Sequence, residues 1–290
     1  MRKRNLPAGH AGKKRNCIPP AAARNRGARR VRGARCGIIP RVKARANPLT
    51  RIYFPDPIPD HGRCALPAAK AHHLAHVLRL AEGDPVVLFD GRGTAHDAVI
   101  TACARGSVSL QVGARRDEQR ESPLQVTLAQ ALSSGERMDY TIQKAVELGA
   151  AAIQPLLAER CVVRLAGERA EKKRAHWQGV VAAACEQCGR NVVPEVLPLL
   201  SFRDWLQQPG PAGGLRLMLA PGAANGLHDL SRPAGEITVL AGPEGGLSPI
   251  EAGDAQRAGF MPLRLGPRVL RTETAAVALL AALQALWGDF

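Results

Sequence analysis

Three glycines, a proline and a glutamate share one turn, Gly242-Pro243-Glu244-Gly245-Gly246. An apolar run at 237–240 precedes it, and Ser248-Pro249-Ile250-Glu251 follows. Glycines between a strand and a helix let backbone approach a ligand closely, and the N–H groups that open a helix often cradle phosphate. A Walker-type cradle also needs a lysine after its last glycine, and none follows here. Pro243 has no N–H to offer, Glu244 brings negative charge, and the dinucleotide spacing G-x-G-x-x-G is missing. The turn therefore suits a neutral or cationic ligand held through backbone groups. The plainer alternative is a tight turn whose glycines only satisfy backbone angles.

A second strand-turn-helix pattern at 263–275 carries Arg268 and Arg271, and a third loop, Leu219-Ala220-Pro221-Gly222, follows another apolar run. Parallel strands place their carboxyl ends together, and open α/β sheets bind ligands at that edge. Loops converging there define a crevice. Other spacings are weaker. Cys185 and Cys188 form a single C-x-x-C with no second pair at finger spacing, so packing cysteines are expected and no metal. Gly91-Arg92-Gly93 joins two strand-like runs and reads as a hairpin turn. His72, His73 and His76 lie on an amphipathic stretch, where a helix surface is the simpler reading than a metal site.

The elements that position these residues fall into two groups. Strand-like runs at 51–54, 85–90, 94–101 and 108–115, with a short helix at 68–80, predict a small β-barrel-like domain over 50–118. A polar stretch at 115–123 is expected to link it to a domain spanning 119–290. There, strands at 125–131, 153–157, 215–220, 237–241 and 262–265 alternate with helices at 137–148, 168–187, 202–207, 249–258 and 273–287. That alternation predicts an α/β fold with a mostly parallel sheet. Ser248, Pro249 and Glu251 specify one helix start as a capping box. The last helix, with AAVALLAAL at 275–283, is apolar nearly all round and must be covered on most sides. The helix at 137–148 puts Tyr140, Lys144 and Glu147 on one face and Met138, Ile142 and Ala145 on the other.

The formal charge of +15 is local: residues 1–49 hold 15 of the 40 basic side chains and no acidic one, leaving 25 of each sign in the remainder. Low in aliphatic periodicity, this stretch cannot offset its ordering entropy and is expected to be disordered. It reads as an RNA-adhesive arm, as a targeting peptide (disfavoured by its lack of serine), or as an over-extended start ahead of Val42 or Leu49. No apolar run reaches the roughly 18 residues of a membrane span. The odd, scattered set of seven cysteines does not suggest a disulfide framework, and a cytoplasmic protein is the expectation.

LAGPEGGLSPIE at 240–251 followed by LRLGPRVLRTETAAVALLAALQ at 263–284 resembles the SPOUT-class, trefoil-knotted methyltransferases. Within that class the chain resembles the ribosomal RNA small subunit methyltransferase E family, the 16S rRNA uracil-N3-methyltransferases. ERMDYTIQKAVELGAAAIQPLLAERCVVR at 136–164, EQCGRNVVPEV at 186–196 and HHLAHVLRLAEGDPVVLFDGRG at 72–93 extend the likeness over about residues 51–290. The resemblance implies a PUA-like β-barrel before the knotted domain and S-adenosylmethionine as cofactor. It also implies 16S rRNA in the 30S subunit as substrate, and a homodimer.

By position, the resemblance implies a cofactor pocket built from Leu219, Leu240, Gly242, Glu244, Gly245 and Gly246. Leu265, Gly266, Val269, Leu270 and Arg271 would form its other wall, with Thr274 and Ala275 closing the adenine side. Uridine N3 must lose a proton before it attacks, so charge develops on the flanking carbonyl oxygens. Arg268, Arg271 or Arg190 could stabilise that charge. Glu186, Glu273 or Glu147 could take the proton, and the sequence does not choose among them. RNA contacts would come from Arg51, His73, Arg79 and Arg92 on the barrel, and from Lys144, Gln187 and Arg190 on the larger domain. Two rivals stay open: a catalytically silent RNA-binding or assembly factor, and a SPOUT RNA methyltransferase with another target such as a ribose 2′-O.

Overall fold

The computed structural model describes residues 49–66, 71, 80–104, 107–210 and 213–290. The expected helix at 68–80, apart from residues 71 and 80, and the contacts expected of His73 and Arg79 lie outside the described residues, as do residues 1–48.

The first sheet contains β1 (Thr50–Tyr53), β2 (Gly62–Leu66), β3 (Pro85–Phe89), β4 (Ala95–Ala104) and β5 (Ser107–Arg116). Its spatial order is β1-β3-β4-β5-β2; β1 and β3 run parallel and the other neighbours antiparallel. Register shifts at His96/Ala98 and Ile100/Ala102 bend the long β4–β5 pair, which curls the sheet around a core of its own. Ile52, Val86, Leu88, Ile100, Leu110 and Val112 fill that core. Strand β2 has no clean alternation in sequence and was not anticipated; it pairs along β5. Alternation in β3 sends Val86 and Leu88 inward, while Val87 and Phe89 join the core of the second half of the molecule.

That second half is α/β. Its elements are β6 (Val126–Ala131), α1 (Glu136–Glu147), β7 (Ala152–Leu157), α2 (Gly167–Cys188), β8 (Glu195–Val196), β9 (Leu200–Ser201) and α3 (Phe202–Leu206). Then come β10 (Leu215–Leu219), β11 (Ile237–Ala241), α4 (Pro249–Arg257), β12 (Met261–Leu263) and α5 (Thr272–Trp287). The sheet order is β12-β10-β11-β6-β7-β8, with β9 also against β7, and every pairing is parallel. All five residues of β11 are buried, as a central strand covered on both faces requires. Met138, Ile142 and Ala145 of α1 face this core, while Tyr140 faces out.

Helix α5 is held by its one buried polar side chain. Gln284 Oε1 accepts from Ser122 Oγ at 2.8 Å and Gln284 Nε2 donates to Leu148 O at 2.8 Å. Among the described residues no helix is long and apolar enough to cross a membrane, and no group of three or more His, Cys, Asp or Glu is placed to hold a metal ion. Cys185 is fully buried, with its thiol directed at Val192 O, and burial pushes that thiol up to about 12.

Candidate active site

Parallel strands put the loops after β6, β7, β10, β11 and β12 at one edge of the sheet, and a cavity of about 520 Å³ opens there. This lies within the range of about 300–1,000 Å³ typical of small-molecule sites. Of the residues expected from sequence, Leu219, Gly242, Glu244, Gly245 and Gly246 line it. So do Leu265, Val269, Leu270, Arg271 and Ala275. Leu240 stands just behind the wall, fully buried at the end of β11. Gly266 and Thr274 flank lining residues without lining the cavity themselves.

The glycine turn is held from three directions. From below, Thr272 Oγ1 donates to Gly242 O at 2.6 Å and accepts from Gln130 Nε2 at 3.1 Å. From one side, Glu244 Oε1 accepts from Ser134 N and Ser134 Oγ, each at 2.9 Å, and from Arg137 Nη1 at 3.0 Å. Partial burial pushes the Glu244 carboxyl up, but the donors from Ser134 and Arg137 outweigh it and hold the group below its usual range. From the other side, Arg160 Nη1 donates to Gly245 O at 3.2 Å. A Cβ on Gly245 would come within 3.2 Å of Arg160 Cβ, so a side chain here would crowd the β7–α2 loop. The expected capping box opens α4, with Ser248 Oγ accepting from Glu251 N and Glu251 Oε2 accepting from Ser248 N. Glu251 also reaches across, its Oε1 accepting from Glu159 N at 2.8 Å.

These contacts give Glu244 a structural part beside its place in the cavity lining. Its carboxylate ties the turn to the β6–α1 loop. Arg137, Arg160, Thr272 and Gln130 went unnoticed in sequence because their partners lie 85 to 142 residues away or, for Thr272, in a different loop.

The charged candidates separate by position. Arg268, Arg271 and Glu273 all line the cavity, and among the described residues their side chains carry no hydrogen bond or ion pair. Glu147 is engaged by Lys144 at 2.7 Å, away from the cavity. Glu186 is at the barrel, where its Oε1 accepts from Tyr53 N at 2.9 Å. Arg190 does not face a substrate. It is 6% exposed, bonds Glu121 through Nε at 2.8 Å, and donates from Nη1 to Val146 O and Ala150 O at 3.0 and 2.8 Å. A guanidinium so enclosed is a structural clamp, which corrects both parts expected of it.

Arg51 is likewise committed internally, donating from Nη2 to Arg190 O at 3.1 Å and Asn191 Oδ1 at 2.6 Å, with its guanidinium 4.7 Å from the Phe89 ring centre. Lys144 is half-buried in its ion pair, whereas Arg92 and Gln187 are exposed. The turn at 91–93 is a hairpin, closed by Asp90 N to Thr94 O at 3.0 Å, and it also docks. Gly91 and Arg92 bridge to Val192, and a Cβ on Gly91 would meet the Tyr53 ring at 2.7 Å.

Comparison with known proteins agrees with this geometry. A family model described as "RNA methyltransferase domain" matches residues 120–284, and one described as "RNA methyltransferase PUA domain" matches 66–113. Ribosomal RNA small subunit methyltransferase E of Buchnera aphidicola subsp. Schizaphis graminum is 31% identical over 241 residues, covering 83% of this chain and 98% of that protein. The Mycobacterium tuberculosis protein of the same name is 35% identical over 240 residues, covering 81% and 91%. The chain belongs to the ribosomal RNA small subunit methyltransferase E family.

Solved structures of the family carry the same fold. The Neisseria gonorrhoeae enzyme bound to S-adenosyl methionine superposes with a TM-score of 0.80 at 45% identity, covering 83% of this chain and 99% of that one. A putative methyltransferase from Legionella pneumophila in complex with the same cofactor gives 0.81 at 37%, covering 84% and 100%. The parallel-sheet half is thus the SPOUT, trefoil-knotted class, the five-stranded half is PUA-like, and the protein is an RNA methyltransferase.

Proposed function

We propose that this protein uses S-adenosylmethionine to methylate N3 of a specific uridine in the 16S rRNA of the small ribosomal subunit. The observation that carries the reading is one cavity that joins a phosphate-averse glycine turn to three uncommitted charged side chains, Arg268, Arg271 and Glu273. The residues fit the cofactor. Leu219, Leu247, Leu265 and Leu270 offer apolar wall to a purine, and backbone groups of 242–247 offer hydrogen bonds. Among the described residues no lysine lines the cavity in the manner of a Walker-type cradle. When bound, the cofactor supplies an electrophilic methyl group on a cationic sulfonium.

The chain's own residues then have separate tasks. The turn and the 264–271 loop fix the donor's position, which is most of the catalysis an in-line displacement needs. Arg268 and Arg271 face charge that develops on the uracil carbonyl oxygens as N3 loses its proton. Glu273 is the acceptor for that proton, because the cavity's other carboxylate, Glu244, is already held by Ser134 and Arg137. The barrel over 50–118 holds RNA, with Arg92 exposed on it, and the domain over 119–290 does the chemistry.

The active form is a homodimer. Val269 at the cavity mouth is 81% exposed, Ile250 beside the glycine turn 72%, and Val162, two residues from Arg160, 77%. Large apolar side chains left this exposed, one of them in the cavity lining, favour burial against a second copy. On this reading the protein works in the cytoplasm. Incubation with 30S particles and labelled cofactor, followed by mass spectrometry of nucleosides, tests the assignment: 3-methyluridine is expected, and a 2′-O-methyl product would sink it. A silent assembly factor would give no methylated nucleoside and no heat on titration with S-adenosylmethionine.

A further inference from the structure

Loop 189–193 does no chemistry, yet the junction between the two sheets is built on it. Its backbone pairs with the barrel hairpin: Gly93 N donates to Asn191 O at 3.2 Å and Val193 N to Gly91 O at 2.9 Å. Asn191 is 3% exposed, and its amide is used at both ends. Oδ1 accepts from Arg51 of the barrel at 2.6 Å, and Nδ2 donates to Glu118 O of the connecting segment at 2.9 Å. Glu121 closes the assembly, one oxygen accepting from Asn191 N and Val192 N at 3.0 Å each, the other from Arg190 Nε at 2.8 Å. Arg190 in turn grips the carbonyls that end α1 and precede β7. One loop therefore connects β1, the barrel hairpin, the connecting segment and the catalytic sheet.

A flexible link would show exposed, unpaired polar groups. Here the segment expected to be a polar linker is fixed by an ion pair 2.8 Å long, and Val87, Phe89 and Ala95 of the barrel sit in the core of the catalytic half. We propose that Asn191, through Arg51 and Glu118, is a positioning residue that sets the angle between the barrel and the catalytic cavity. It thereby fixes where an RNA strand held by the barrel meets that cavity. The inference rests on the RNA-methyltransferase reading above. Asn191 is not among the residues that line the cavity, so its effect passes through orientation.

The test is steady-state kinetics of the full chain on 30S particles, with calorimetry for S-adenosylmethionine. Asn191→Ala should raise KM for the particle about tenfold while kcat, cofactor affinity and cofactor stoichiometry stay within about twofold. The slope of RNA affinity against salt should be unchanged, because no phosphate contact is lost; a contact residue would reduce it by about one. Asn191→Asp keeps the acceptor for Arg51 but turns the donor to Glu118 O into a second acceptor, so it should recover only part of the loss. If Asn191→Ala lowers the cofactor stoichiometry, Arg51→Lys, which keeps the charge and loses the fork, reads the same angle and should raise KM in the same way. An unchanged KM, a kcat that falls in step with stoichiometry in both variants, or a shallower salt slope would each overturn the proposal. A wild-type protein that binds cofactor but leaves 30S unmethylated would overturn the substrate reading instead.

Discussion

Thr272 and Gly242 are joined by a 2.6 Å hydrogen bond from the threonine hydroxyl to the glycine carbonyl, spanning 30 residues of chain. The same hydroxyl accepts from Gln130 Nε2, so the first residue of α5, the end of β6 and the glycine turn share one atom. Removing it leaves a partly buried carbonyl with only the longer 3.4 Å approach of Gln130. A lost neutral hydrogen bond is worth about 1 kcal/mol, or roughly fivefold in an equilibrium. Thr272→Val should weaken S-adenosylmethionine binding by about that factor, and Thr272→Ser should restore it. Calorimetry decides, and equal affinity for Val and Ser would show that the bond does not shape the pocket.

Arg268 is exposed at the cavity mouth with no partner among the described residues, so removing it strands no buried group. If it faces developing charge, the loss appears in turnover rather than in cofactor binding. Arg268→Ala should lower kcat by about 10²-fold, with cofactor affinity within about twofold. Glu273→Gln should lower kcat too if the carboxylate takes the proton. A Glu273→Gln enzyme with unaltered kcat would return the proton to solvent.

How much of this was legible in the sequence depends on the distance between partners. The capping box of Ser248 and Glu251 is local, spanning 3 residues, and it stands as read. So do the alternation of strands and helices and the buried stripe of α1, which periodicity encodes directly. Arg190 misled because an arginine in a loop reads as a surface charge, while its partner Glu121 lies 69 residues away in a stretch that itself reads as linker. Glu244 reads as a pocket residue by its position in the turn, and its tether is hidden because the donor Arg137 is 107 residues distant. Strands β8 and β9, at 2 residues each, are too short for any periodicity to mark.

The Glu244 tether has a pH signature. Its carboxyl is held below the ordinary 4.5, so the folded form binds its proton less readily than the unfolded chain. Stability from this group is fully present above pH 4.5 and is lost as pH falls through the depressed folded value. Wild type should therefore lose more stability between pH 7 and about pH 3.5 than Glu244→Gln, which has no proton to take up there. Urea midpoints at the two pH values measure it. Parallel losses in both proteins would mean that the contacts from Ser134 and Arg137 do not favour the charged form.

Cys185 gives the opposite limb. Its thiol is fully buried and pushed from 9.0 to about 12, chiefly by desolvation, so the folded state keeps a proton that the unfolded chain gives up. Stability from this group is intact below pH 9 and falls as pH rises toward 12. At about pH 10.5 the difference amounts to roughly 2 kcal/mol, from 1.4 kcal/mol per pH unit over the interval already crossed. Cys185→Ala should be less stable at neutral pH because of the cavity it leaves, yet lose less on going to pH 10.5. Denaturation under reducing conditions at pH 8 and 10.5 compares the two. The other raised thiols, Cys64, Cys161 and Cys188, are present in both proteins. Equal losses would place the Cys185 thiolate in contact with water in the folded state.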